Sequence, residues 1–153
     1  MNALELKVPP VAVLVIAAAG MWAVSQVLPG LHFSFPGAVW LATGIAVVGI
    51  VISILGVIEF RGAGTTVDPR VPEQSASLVT SGVYRHSRNP MYTGFLLVLS
   101  GWGVFLGSCP SLLFIPAFVV YMNRFQIIPE ERFMRASFGQ SYGEYSSRVR
   151  RWV

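Results

Sequence analysis

Between Lys7 and Glu59 the chain contains no Asp, Glu, Lys or Arg. That run divides at Leu28-Pro29-Gly30 into two uncharged segments, 8–28 and 35–58. At about 1.5 Å per residue, roughly 20 helical residues cross the ~30 Å hydrocarbon layer, so each segment predicts a membrane-spanning helix. A second uncharged run, 89–123, is broken by Gly107-Ser108-Cys109-Pro110, where Gly and Pro favour a turn and a helix restart. It predicts a helical hairpin with arms over 90–107 and 111–128. The uncharged parts of these arms are short for full spans, so they extend into flanking sequence or dip in and return. Composition points the same way, with 54% hydrophobic and 12% charged residues and a mean hydropathy of +0.62. This is more apolar than a soluble core of this size requires, and it excludes disorder. The single cysteine, Cys109, excludes a disulfide-stapled secreted module. The expected fold is a single all-α integral membrane domain, 1–153, with about four transmembrane helices.

The charges sort by position. Lys7 precedes the first segment, Arg61, Arg70, Arg85 and Arg88 lie between the second and third, and the other six basic residues follow the fourth. The opposite turns, 29–36 and 107–110, contain no Lys or Arg. The positive-inside rule therefore places both termini and the middle loop in the cytoplasm. This asymmetry accounts for the net charge of +4 without nucleic acid. The first segment shows no convincing small-residue cleavage site and reads as a retained anchor rather than a signal peptide.

The middle stretch, 61–88, is rich in Gly, Pro, Ser and Thr, yet Val67, Leu78, Val79, Val83 and Tyr84 alternate with its polar residues. It predicts an ordered cytosolic cover rather than a linker. After Asn123, the residues Met134, Phe138, Tyr142, Tyr145, Val149 and Trp152 recur at intervals of three and four, predicting interfacial amphipathic helices over 130–151. Gly139 is expected to interrupt them, and Ser141-x-x-Glu144 has capping-box spacing for a restart. Arg148, Arg150 and Arg151 suit anionic headgroups. Trp22, Trp40, Trp102 and Trp152 read as boundary aromatics, and His32 and Cys109 as structural residues.

Two dense polar clusters remain, at the charged ends of the last two apolar helices. One is SGVYRHSRNPMYTG, 81–94, and the other NRFQIIPEER, 123–132. Neither a metal-ligand spacing nor a glycine-rich phosphate loop is present, and Gly62-Ala63-Gly64 lacks the flanking strand that such a loop needs. The first cluster places tyrosines, arginines and free helix N–H groups at one helix mouth, suiting a ligand with both charge and a flat ring. In the second, Arg124 is costly to bury unpaired, so a carboxylate from protein or ligand is expected beside it.

In these residues the chain resembles the membrane methyltransferases of the isoprenylcysteine carboxyl methyltransferase and phospholipid methyltransferase group. The marks are LVTSGVYRHSRNPMY, against a family pattern of Leu-Val-x-x-Gly-x-Tyr followed by Arg-His-Pro-x-Tyr, and the Glu-Glu pair followed by FGQSYGEY. The resemblance implies S-adenosylmethionine bound at the cytosolic membrane edge. Carried over by position, its cofactor-binding residues are Leu78, Val79, Tyr84, Asn89, Pro90, Met91, Tyr92 and Glu130. Aromatic faces such as Tyr84 and Tyr92 attract a sulfonium, and Glu130 accepts hydrogen bonds from an ammonium or ribose. The charge of Arg88 or Arg124 suits the cofactor carboxylate. Asn89 stands where the family pattern has histidine, so no histidine base is expected there. Gln126 falls where the prenylcysteine enzymes place an arginine near the substrate carboxylate, which argues against a prenylcysteine acceptor.

The expected reaction is methyl transfer to a lipophilic or amphiphilic acceptor at the interface, with membrane lipids as neighbours. Glu131 and Arg124 are the candidate catalytic residues and Gln126 the candidate substrate contact. Glu131 or a tyrosine serves as base if the acceptor is an amine or thiol; a carboxylate acceptor needs none. Two alternatives stay open. One is an NADPH-dependent reductase of the sterol reductase type, and the other a non-catalytic four-helix scaffold.

Overall fold

The protein was analysed as a computed structural model that describes residues 5–64 and 77–153. Helix α1 covers Pro10–Val27 and opens on a proline, whose missing N–H costs nothing in a first turn. Helix α2 covers Ala38–Gly62, and helix α3 covers Pro90–Leu106, again starting at a proline. After a 3-10 turn at Pro110–Leu113 come α4, Phe114–Met122, a π-helical turn, Asn123–Ile127, and α5, Ile128–Arg148. These last four form one helical run, and no strand occurs among the described residues.

Three helices are long and apolar enough to cross a bilayer: α1, α2 and the apolar part of the Pro110–Arg148 run. Helix α3, with 17 residues, rises only about 25 Å and falls short of the full layer. Val15, Ile16, Val47 and Val48 stand exposed on the outer faces of α1 and α2. Such apolar surface suits lipid. The chain is therefore an all-α integral membrane protein.

Helices α2 and α3 pack antiparallel along a seam of small residues. A Cβ at Gly49 or Gly94 would strike the backbone of the opposite helix, and one at Gly101 would lie 2.6 Å from the Ala42 carbonyl. Close approach of this kind is how helices associate where lipid removes the hydrophobic drive. Ser53 Oγ adds a 3.2 Å hydrogen bond to the Met91 carbonyl. On the other side of α3, Trp102 Nε1 donates to the Ala18 carbonyl and Ser111 Oγ to that of Met21. The buried core there includes Ala17, Met21, Leu99, Phe118 and Met122.

At the uncharged end, the two turns pair: Phe33 N–H donates to the Gly107 carbonyl, and Cys109 N–H to that of Leu31. The polar clusters lie at the opposite end, where α3 begins and α4 runs into α5.

Three features of that end depart from the sequence reading. The helix that carries the fourth span does not end at 128. Its apolar part passes into α5 through the π turn, where the Ile128 N–H reaches back five residues to the Asn123 carbonyl. Pro129 has no N–H to offer Phe125, and the Phe125 carbonyl instead accepts from Leu6 N–H at 3.0 Å, docking the segment before α1. Helix α5 ends at Arg148, short of 151, because Val149 is extended (φ −116, ψ 131). Gly139 does interrupt the helix, with φ 48 and ψ −120. Glu144 accepts from Gln140 rather than closing a box with Ser141.

Of the predicted cover over 61–88, residues 65–76, including Val67, lie outside the described residues. The described residues 77–88 are folded against α2. Gly82–Arg85 form a 3-10 turn, held by Ser81 Oγ donating to Glu59 at 2.6 Å and by the Phe60 ring 5.1 Å from that of Tyr84. Gly82 has φ +53 and lies against the Glu59 carboxylate, a place with room for no side chain.

Candidate functional site

The two polar clusters meet. Tyr92, in the first turn of α3, donates a 2.6 Å hydrogen bond to Glu130 Oε1 in the first turn of α5, across 38 residues of sequence. Pro90 fixes the start of α3, which orients Tyr92 inward, and the π turn rotates the start of α5 to face it. Tyr92 is buried and Glu130 half-buried. Burial pushes the Glu130 carboxyl up to about 8, against the Tyr92 hydrogen bond, with the neighbouring Glu131 charge adding to the rise.

Tyr84 sits beside this pair. Its carbonyl accepts from Tyr145 Oη at 2.7 Å, while its own buried hydroxyl has no hydrogen-bond partner. Burial raises both phenols above their usual range; Tyr145 adds to the effect on Tyr84, and Tyr142 to that on Tyr145. Val79 is buried and Leu78 and Met91 half-buried at the same end. Met91 also fills the space beside Gly56 of α2.

Glu131, the next residue, is held on both oxygens. Arg151 grips it in a fork, Nε to Oε1 at 3.0 Å and Nη2 to Oε2 at 2.7 Å, and Arg88 Nη1 lies 3.2 Å from Oε1. The hydrogen bonds to Glu131 hold Arg151 even more firmly protonated. Arg88 also reaches Tyr142 Oη at 3.4 Å, and its buried Nε has no partner. Asn89 Nδ2 donates to the Arg151 carbonyl at 2.9 Å.

Arg124 stands apart, half-exposed, 3.4 Å from Glu5, which Arg132 also meets at 2.6 Å. The carboxylate expected beside it comes from the protein. Gln126 is fully buried; its Nε2 donates to the Val8 carbonyl at 2.6 Å, and its Oε1 has no partner.

The structure thus gathers Tyr84, Asn89, Pro90, Met91, Tyr92 and Glu130 at one helix mouth, and sets Arg124 and Gln126 beneath the segment before α1. Sequence reading missed Glu5, Tyr145, Arg151 and Trp152. Trp152 is more than a boundary aromatic: it packs on the core and its Nε1 donates to Asn123 Oδ1 at 3.1 Å. The tail's spacing of three and four was the available signal for Tyr145. For Glu5 it was an acid next to an apolar run.

The family model for phospholipid methyltransferase matches residues 38–141, and the chain belongs to that family. It is similar to a probable protein-S-isoprenylcysteine O-methyltransferase of Oryza sativa subsp. indica, 37% identical over 106 residues, which are 67% of this chain and 54% of that protein. It is also similar to protein-S-isoprenylcysteine O-methyltransferase B of Arabidopsis thaliana, 42% identical over 80 residues, 50% of this chain and 39% of that protein. An uncharacterized Haemophilus influenzae protein is 38% identical over its whole length of 63 residues, 41% of this chain. The chain spans about half the length or less of the plant relatives it matches.

Proposed function

We propose that this chain is an S-adenosylmethionine-dependent methyltransferase acting on a lipophilic or amphiphilic acceptor where the charged end of the bundle meets the cytosol. The observation that carries this reading is the Tyr92–Glu130 hydrogen bond, which brings two separated family motifs into one site at the polar end of apolar helices. The charge asymmetry supports the cytosolic side.

The residues fit such a donor. Glu130 offers a carboxylate to an ammonium or to ribose hydroxyls, and the Tyr84 and Tyr92 rings suit a sulfonium. Buried polar atoms are normally hydrogen-bonded, so the unpartnered Tyr84 hydroxyl, packed near Gly56, keeps a free hydrogen bond that a ligand atom could use. When bound, S-adenosylmethionine supplies a methyl group made electrophilic by the sulfonium. The chain's own share is orientation and exclusion of water, and alignment alone can be worth ~7 kcal/mol or more. Gln126 brings no charge to a substrate carboxylate, and its amide nitrogen is committed to Val8. This supports an acceptor other than a prenylcysteine carboxyl.

The test uses detergent-purified protein and methyl-labelled S-adenosylmethionine, together with membranes prepared with and without the protein. Saturable binding, and label in the organic extract only when the protein is present, are expected. No saturable binding together with no labelled lipid would remove the proposal.

Glu130 also predicts a pH dependence. Its proton leaves as pH rises through about 8, so affinity for the cationic end of S-adenosylhomocysteine is expected to increase from pH 6 to 8. The unliganded protein moves the other way. Its folded state holds this proton where the unfolded state has lost it, so stability falls as pH rises from the usual carboxylate range through about 8. Calorimetric titration across that range should show the rise in affinity in the native protein and a flat profile in Glu130→Gln. A flat profile in both would exclude Glu130 as the titrating contact.

A further inference from the structure

Beyond α5 the chain turns back over the mouth of α3. The Arg150 carbonyl accepts from Arg88 N–H at 2.9 Å, the Arg151 carbonyl from Asn89 Nδ2 at 2.9 Å, and the Trp152 carbonyl from Thr93 Oγ1 at 3.2 Å. Three successive carbonyls are thus hydrogen-bonded by the segment that carries Tyr92. The side chains of the same stretch hold the other motif: Arg151 forks onto Glu131, next to Glu130, and Trp152 ties to Asn123 at the start of the π turn. Residues 150–152 lie outside the 38–141 stretch that matches the family.

We propose that Arg151 and Trp152 are positioning residues of the donor site, a latch that fixes Tyr92 and Glu130 relative to each other by binding the helix start behind each of them. The inference rests on the donor reading given above. It assigns a role to each group the latch engages. Glu131, neutralised by Arg151 and Arg88, is an anchor of the latch and not the acceptor of a substrate proton. Asn89, whose amide is spent on the Arg151 carbonyl, orients the start of α3. Both motifs are therefore built from one residue that faces the ligand and a neighbour that holds it in place. The neighbours share a single strap of chain.

The experiment measures S-adenosylhomocysteine affinity by calorimetry, and the melting midpoint without ligand, for the detergent-purified native protein, Arg151→Ala, Glu131→Ala and the double variant. Each single change is expected to weaken binding about tenfold, the scale of one charge-assisted contact, with the double variant no weaker than either single. A fold-wide structural role would instead lower the melting midpoint of each variant in proportion to its loss of affinity. Arg151→Lys keeps the charge but not the fork, so it should fall between native and alanine. It carries the same comparison if the alanine variant does not fold. Trp152→Phe, which keeps the ring and loses only the N–H, should weaken binding less than Arg151→Ala. Native affinity in both Arg151→Ala and Arg151→Lys overturns the latch and leaves the donor reading intact. No binding by the native protein overturns both.

Discussion

Gly94→Val is expected to abolish the folded protein. A side chain at Gly94 runs into Ser53 Oγ and the Gly49 carbonyl, and part of what it meets is backbone, which cannot rotate aside. Ordinary overpacking in a core costs about 1–3 kcal/mol. Here the collision also opens the α2–α3 seam, whose close approach is the main attraction between two helices that lipid solvates equally well apart. A loss beyond ~3 kcal/mol, more than 100-fold in the folded ratio, follows. The site would go with it, because Met91 and Tyr92 sit at the end of this seam and Ser53 holds the Met91 carbonyl. The measurement is the monodisperse fraction and melting midpoint in detergent. Gly44→Ala is the control: nothing lies within 4 Å of its Cβ position, and alanine favours helix over glycine by about 1 kcal/mol. It should match or exceed the native midpoint. A monodisperse Gly94→Val with the native midpoint would mean that the seam is not what holds these helices.

The contrast between these glycines shows where sequence reading stops. The helices themselves were legible because membrane spans depend on uninterrupted apolar length, and 8–28 and 35–58 announce that plainly. Which of the glycines in α2 faces a partner was not, because an all-round apolar helix has no polar face to orient it. The meeting of Tyr92 with Glu130 was legible only through two motifs taken together. Spacing cannot bring residues 38 positions apart into contact. The π turn at Asn123–Ile127 and the long run into α5 were hidden because the change from apolar to charged residues at Pro129 looks like an end. In fact the proline frees the Phe125 carbonyl for Leu6 and the helix continues. Arg151 and Trp152 were misread for a related reason. An arginine and a tryptophan at a membrane boundary satisfy snorkelling and belt rules whatever they touch. In the fold, one grips Glu131 and the other Asn123.

The second large effect falls on Glu130. Above about pH 8, where its carboxyl is ionised, Glu130→Ala should weaken S-adenosylhomocysteine binding by at least about 100-fold, since removing one partner of a buried charge contact costs roughly 3–5 kcal/mol. Tyr92→Phe should cost less, about tenfold, because it removes a single hydrogen bond to a charged group while the ring stays. The two effects should not add. If Tyr92 acts by aiming the Glu130 carboxylate, Tyr92→Phe has nothing left to aim in a Glu130→Ala background, and the double variant binds as weakly as Glu130→Ala alone. If Tyr92 and Glu130 touched different parts of the ligand, the losses would multiply instead. Glu130→Gln separates charge from shape: it keeps an acceptor for the Tyr92 hydroxyl but has no charge to offer an ammonium. An affinity for Glu130→Gln close to that of Glu130→Ala would mark the ammonium as its contact, and one close to native would mark a ribose hydroxyl. Native affinity in Glu130→Ala would show that the 2.6 Å bond ties the helix ends together and holds no donor.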